Sequence, residues 1–399
     1  MAGTVNFQLL ASKSGHLIGV AELDNQASLN ALSFEMIELL YHQLLQWQRD
    51  DMVSCVVLCG AGDKAFCAGG DVRAMYHAMS EGSSLCDAQK HQSEDQAEHQ
   101  DNPHTQASEF LTRYFTLEYQ CDYLIHTYSK PIIAWGDGIV MGGGIGLYVG
   151  ASHRVLTERS KLAMPEITIG LYPDVGGTWF LNQLPQGIGL FLGLTGAVIN
   201  ASDALALDIA EHIIPVDHKD QLLDELIQLP WQASDNPYLL VDQALVNLSV
   251  AVQTDLVLPT KQLAPYFDQI QTACMGNDLN QIASNIHALI ANDKWMERAK
   301  ATMAAGSPIS AHICFRQVTQ YAHLDLADCF RLELSLSVRC GELGEFQEGV
   351  RARLIDKTGD PKWLFPTVEQ VEVSVIDTLF TSLWPEESHP LAGLTGNGF

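Results

Sequence analysis

The chain has 399 residues, 47% of them hydrophobic, enough for a large buried core spread over two structural units. Forty-eight acidic against 22 basic residues give a formal net charge of −26, which repels nucleic-acid phosphate and anionic membrane alike, so neither is an expected partner. The nine cysteines are odd in number and form no CxxC pair, no apolar run reaches the roughly 18 residues that span a bilayer, and Met1 to Val20 holds no secretory core, so a cytoplasmic protein with reduced thiols is expected.

In chain order, Val5 to Leu10 and His16 to Leu23 read as two strands joined by the Ser12-Lys13-Ser14-Gly15 turn, a hairpin. From Ser33 to Arg49 the residues Met36, Leu39, Leu40, Leu44, Leu45 and Trp47 recur at near-helical spacing, and Ser33 is placed to cap that helix. Val53 to Cys59 is a buried strand, and strand, helix and strand in this order predict α/β layers. A glycine-containing turn, Gly60 to Arg73, then leads into a helix ending near Met79. Glu81 to Ser108 is polar and aperiodic and reads as a long loop; its His91, His99 and His104 lack the i,i+4 spacing of a metal pair, so no metal site is expected. Phe110 to Tyr128 is a helix with Leu111, Phe115, Tyr119 and Leu124 on one stripe and Glu118 on or near it, where spacing alone does not separate a surface acid from a site residue.

The window from Lys130 to Gly177 carries most of the legible chemistry. Pro131 to Gly136 suits a buried strand; Gly142, Gly143 and Gly144 follow, and then an apolar segment, Ile145 to Val149. A strand passing through three glycines into a helix start leaves N–H groups without intrahelical acceptors, and absent side chains let a ligand oxygen come close. The Gly69-Gly70-Asp71 turn is a second source of donors, and an oxyanion hole usually takes two. Glu166 and Asp174 follow Met164-Pro165 and Tyr172-Pro173. Either acid alone reads equally well as a helix cap, but two carboxylates beside a donor pocket suit hydrolysis, with one acting on water and the other positioning or protonating.

Beyond Thr178, Trp179 to Leu194 and Ser202 to Ala210 read as helices, and Ile213 to Pro215 as a short last strand. Helical periodicity then recurs at Gln221 to Ile227, Leu240 to Leu248, Leu279 to Ile290, Trp295 to Met303, Pro308 to Tyr321 and Asp325 to Arg339. The pattern divides the chain into an α/β part, 1–215, and a mainly helical part, 216–399. Phe346 to Lys362 gathers Arg351, Arg353, Lys357 and Lys362, either a partner for a ligand phosphate or a solvated helix end.

These residues resemble the crotonase (enoyl-CoA hydratase/isomerase) superfamily: LDNQASLNALS at 23–33, AFCAGGD at 65–71 and GDGIVMGGG at 136–144. MPEITIGLYPDVGGTWFL at 164–181 and EFQEGVRARLIDKTGDPKW at 345–363 resemble a branch of it that hydrolyses short-chain 3-hydroxyacyl-CoA thioesters. The resemblance implies an α/β fold, a spiral core of repeated ββα units with an extended helical C-terminal region. It implies that the Gly70 and Gly143 N–H groups hold the thioester carbonyl, that Ala68 lies by the adenine of CoA, that Glu166 and Asp174 act on the acyl group, and that Glu118 contacts substrate. It implies no cofactor, CoA being part of the acyl-CoA substrate; 3-hydroxyisobutyryl-CoA, an intermediate of valine breakdown, is the implied substrate. Superfamily members are commonly trimers or hexamers, so a homo-oligomer is compatible with it.

Hydratases of the superfamily carry a glutamate three residues after the oxyanion-hole glycine, and that position here is Gly146; where they usually carry glycine, this chain has Asp174. Half of a hydratase's acid–base pair is thus missing, and hydrolysis is the expected reaction. Whether Glu166 activates water or attacks the carbonyl stays open in the sequence. An isomerase working with one glutamate, and a non-catalytic CoA-binding or scaffold protein, are the alternatives.

Overall fold

The computed structural model describes residues 3–89, 103–233 and 235–395, with side chains throughout except at 81–89 and 103–106. Residues 90–102 of the expected polar loop lie outside this set, as do the side chains of His91, His99 and His104. The ends of that loop are helical instead. Helix α2 spans Val72–Gln89, ten residues past its expected end at Met79, and α3 spans Pro103–His126. Polar aperiodic sequence concealed both helix ends, because no apolar stripe marks them.

The first strands, β1 (Thr4–Ala11) and β2 (Leu17–Asp24), pair antiparallel as the expected hairpin. Helix α1 (Phe34–Arg49) begins where Ser33 accepts the Met36 N–H, and it buries Met36, Ile37, Leu40, Leu44 and Trp47 on one stripe. Three ββα units follow. The first is β3 (Val53–Gly60), β4 (Ala65–Cys67) and α2; the second is β5 (Ile132–Gly136), β6 (Ile139–Met141) and α4 (Gly143–Val149). The third is β7 (His153–Leu156), β8 (Lys161–Ala163) and a 3-10 turn, Glu166–Ile169.

Each unit sends its first strand to one sheet and its second to another. The larger sheet runs β1-β2-β3-β5-β7-β10 and the smaller β4-β6-β8-β9, with β9 at Ile199–Asn200 and β10 at His212–Ile213. Equivalent strands of successive units pair in parallel, β3 with β5 and β5 with β7, β4 with β6 and β6 with β8. Every residue of β5 is buried, as a central parallel strand covered on both faces requires. This is the spiral the resemblance implies.

One apolar core runs from Val5 to Leu391 and takes in α1, α3 and the later helices; a second packs Ile18, Val57, Ile133 and Trp135 against Leu222, Leu226 and Leu245 across the sheet. Strands end at β10, and all later described regular structure is helical. The expected helix from Trp179 to Leu194 is two pieces, Gly177–Phe180 and Ile188–Thr195, parted where Pro185 and the left-handed Gly187 (φ 82°) break the chain. The expected Ser202 to Ala210 helix is Ala201–Ala206, opened by an Asn200/Asp203 capping box. Helices Pro308–Gln320 and Leu326–Leu343 turn back onto the first half, the second packing along α3.

Candidate active site

Ala68, Gly70, Glu118, Gly143, Glu166 and Asp174 all line a single cavity of about 430 Å³. They arrive there by a common route. Gly70, Gly143 and Glu166 each stand just beyond the small-sheet strand of a successive ββα unit, after β4, β6 and β8, so three turns of the spiral bring three strand ends side by side.

The first corner is held by the early polar motif. Asn30 donates to the Ala61 and Ala65 carbonyls at 2.9 and 2.8 Å, and the Ala68 N–H reaches the Leu29 carbonyl at 3.0 Å. Tyr114 of α3 donates to the Leu32 carbonyl (2.6 Å) and accepts the Asp71 N–H (3.2 Å), pinning Asp71 and the Leu32 backbone that bridges to Gly70. At the second corner Gly142 has φ 52° and ψ −128°, a conformation open to glycine and strained for other residues. A Cβ on Gly143 would stand 2.6 Å from Glu118 Oε1 and 3.3 Å from the Gly70 nitrogen, so the absent side chain is what lets the two corners and the carboxyl meet. Neither the Gly70 nor the Gly143 N–H has an acceptor among the described residues.

Facing these amides is a group of buried carboxyls. Glu166 is 5% exposed, turned inward, with Oε1 beside Gly142 and Oε2 without a hydrogen-bond partner among the described residues. Glu118 Oε1 and both oxygens of the fully buried Asp122 also lack one. Asp174 Oδ2 accepts the Tyr119 hydroxyl at 2.7 Å. Burial first, and then the neighbouring Asp174 carboxyl, hold Glu166 and Glu118 well above the usual carboxylate range. Burial pushes Asp174 up to about 7 against the opposing Tyr119 hydrogen bond.

Sequence reasoning missed how the Asp174 loop is held. Val175 adopts φ 52°, strained for a β-branched residue and worth on the order of 1–3 kcal/mol. Groups from the C-terminal helices fix the loop around it. Glu333 accepts the Gly176 and Thr178 N–H groups, both at 2.8 Å, and Gln317 donates to the Pro173 carbonyl at 3.0 Å. Ser337 lies 2.7 Å from both the Tyr119 and the Tyr172 hydroxyls. The only sequence signal for Glu333 was an acid between Phe330 and Leu334 on an apolar face. Gly146 is enclosed as well: a Cβ there would meet Val175 Cβ at 2.7 Å and Asp122 Oδ2 at 3.0 Å, which leaves no room for a glutamate.

Of the four late bases, Arg351 is bound to Glu348 (2.7 Å) and Asp356 (2.6 Å) and Lys362 to Asp360, whereas Arg353 lines the cavity. No described helix is long and apolar enough to cross a membrane.

Comparison with known proteins places this arrangement. The family model described as enoyl-CoA hydratase/isomerase matches residues 18–380. The 3-hydroxyisobutyryl-CoA hydrolase, mitochondrial, of Xenopus tropicalis is 35% identical over 94% of this chain and 89% of its own length, and that of Danio rerio 33% over 96% and 92%. The small ribosomal subunit protein mS47 of Neurospora crassa is 31% identical over 88% of this chain and 66% of its length. Among solved structures, a carnitinyl-CoA dehydratase from Mycobacterium thermoresistibile superposes with a TM-score of 0.76 at 29% identity, covering 95% of this chain and 97% of that one. An enoyl-CoA hydratase from Rhodobacter sphaeroides 2.4.1 gives 0.75 at 26%, over 94% and 97%. The chain belongs to the enoyl-CoA hydratase/isomerase family, the crotonase superfamily.

Proposed function

We propose that the chain is an acyl-CoA thioester hydrolase whose substrate is 3-hydroxyisobutyryl-CoA, split by water into 3-hydroxyisobutyrate and CoA. One observation carries the reading: two amides without acceptors among the described residues, Gly70 and Gly143, meet in a cavity that also holds the buried Glu166, Glu118 and Asp174. The relatives named 3-hydroxyisobutyryl-CoA hydrolase supply the acyl group. A relative named as a ribosomal subunit means that family membership alone does not assign catalysis, and the donor and acid set gathered in the cavity is what supports it here.

In the proposed reaction the thioester oxygen takes hydrogen bonds from Gly70 and Gly143 N–H as it gains negative charge. Glu166, whose raised proton affinity makes it a competent base, takes a proton from water as the water oxygen bonds to the carbonyl carbon. When the C–S bond breaks, that proton goes to the departing CoA sulfur. Asp174 and Glu118 hold the 3-hydroxyl, and Ala68 lies toward the adenine. Hydration fits less well, because Gly146 has no space for the second glutamate.

The eight described cysteines are all free and buried, which suits a reducing compartment, the cytoplasm among them; the hydrolase relatives carry "mitochondrial" in their names. The test is release of free CoA thiol from acyl-CoAs with and without a 3-hydroxyl. Preferred thiol release from the 3-hydroxyacyl thioesters is expected. Double-bond migration or hydration without free thiol would overturn hydrolysis in favour of an isomerase or hydratase, and binding without turnover would overturn it in favour of a silent CoA-binding protein.

A further inference from the structure

A chain of net charge −26 that takes a CoA ester has to bring several phosphate charges against its own field. The residues lining the cavity include three acids, Glu118, Glu166 and Asp174, all buried, and one base. That base is Arg353, and among the described lining residues it is also the one exposed to solvent, so the cavity grades from buried carboxyls to a guanidinium at its rim.

Arg353 differs from the bases around it. Arg351 is engaged by Glu348 and Asp356, and Lys362 by Asp360, whereas Arg353 has no ion pair among the described residues. The backbone that presents it is specialised. Arg351–Ile355 is a π-helical turn, a rare form found mostly at functional sites, entered directly from helix Glu345–Val350. Arg73, from the first turn of α2 beyond the Gly70 corner, donates to the Leu354 carbonyl at 3.2 Å and so ties this turn to the wall that carries the amides. A solvated surface arginine needs neither the unwound turn nor the tether.

Resting on the hydrolase reading above, we propose that Arg353 is a phosphate-binding residue that takes a phosphate group of the CoA moiety at the cavity rim. Its planar guanidinium offers paired donors to phosphate oxygens, and it offsets locally the repulsion of the acidic chain. The acyl end then reaches the buried acids while the phosphates stay in solvent.

The test is calorimetric binding of CoA, dephospho-CoA and phosphate-free pantetheine to the full chain and to Arg353→Ala, Arg353→Lys and Arg353→Glu. Arg353→Ala should lower the CoA-over-pantetheine affinity ratio by about fivefold to thirtyfold, the range for a charge-assisted contact at a partly screened site. Arg353→Glu should lower it further and Arg353→Lys recover part of it. A ratio loss that persists with dephospho-CoA identifies the pyrophosphate as the group held, and one that vanishes identifies the 3′-phosphate. An unchanged ratio, or equal loss for CoA and pantetheine, overturns the proposal. Binding is read without turnover: a chain that holds CoA through Arg353 yet frees no thiol from any thioester sinks hydrolysis and keeps this site.

Discussion

The Gly142 corner and the Asp174 corner both turn the chain through positive φ beside the same cavity, by opposite means. At the first, glycine makes the conformation inexpensive and two parallel sheet neighbours fix its position. At the second, Val175 occupies it under strain, and the loop is held from outside by Glu333 and Gln317 of the C-terminal helices. The Gly142 corner therefore needs only its own glycine and its sheet neighbours. The acid side depends on residues more than 140 positions away, Gln317 and Glu333 being 144 and 157 positions from their loop partners.

The contrast can be broken by experiment, beginning with the residue that stands between the two corners. Glu166→Gln should slow thiol release by about a hundredfold to ten-thousandfold, the usual range for losing a general base; release at the wild-type rate would remove Glu166 from the mechanism. Gly143→Ala, whose methyl group would meet Glu118 and the Gly70 amide, should reduce kcat by about a hundredfold to a thousandfold with an unaltered unfolding midpoint, since the sheet and not the pocket holds that corner.

Glu333→Ala should do the reverse. It leaves two buried N–H groups without acceptors, so it should destabilise the chain by about 2–5 kcal/mol in urea unfolding and lower kcat by a smaller factor, about tenfold. Equal stability loss at Gly143 and Glu333 would erase the distinction between the corners.

Two pH effects are smaller. Asp174 holds its proton more tightly folded than unfolded, so its contribution to stability is complete below the unfolded value near pH 4 and is lost as pH rises through about 7. The unfolding midpoint should fall across that window, and Asp174→Asn should flatten the fall. The same substitution removes the negative neighbour that helps raise Glu166, so the acidic limb of the residual kcat/KM profile should move to lower pH. A limb that stays put would mean that Asp174 adds nothing to what burial and Glu118 impose on Glu166.

The sequence exposed the first corner and hid the means of holding the second. Glycine turns, a capped amphipathic α1 and all-apolar strands are local signals, legible because one residue type answers one backbone demand. Glu166 and Asp174 were found by their adjacency to prolines and turns, whereas Glu333, Ser337 and Gln317 look like ordinary polar residues of amphipathic helices. Their partners are set by how the later helices fold back, which periodicity does not report. The polar ends of α2 and α3 were misread for a related reason, since neither end shows an apolar stripe. Asp122 carries no sequence signal of its own; only the fold shows that it and the Asp174 loop fill the space over Gly146.

The stacking of the three ββα units has one further consequence. Adjacent strands in a sheet lie about 4.8 Å apart whatever their side chains, so Gly70, Gly143 and Glu166, each borne by the next rung of one ladder, inherit their spacing from backbone pairing. A protein made this way keeps the separation of its two glycine corners fixed by the sheet, and the side chain borne by the third rung can change without moving them.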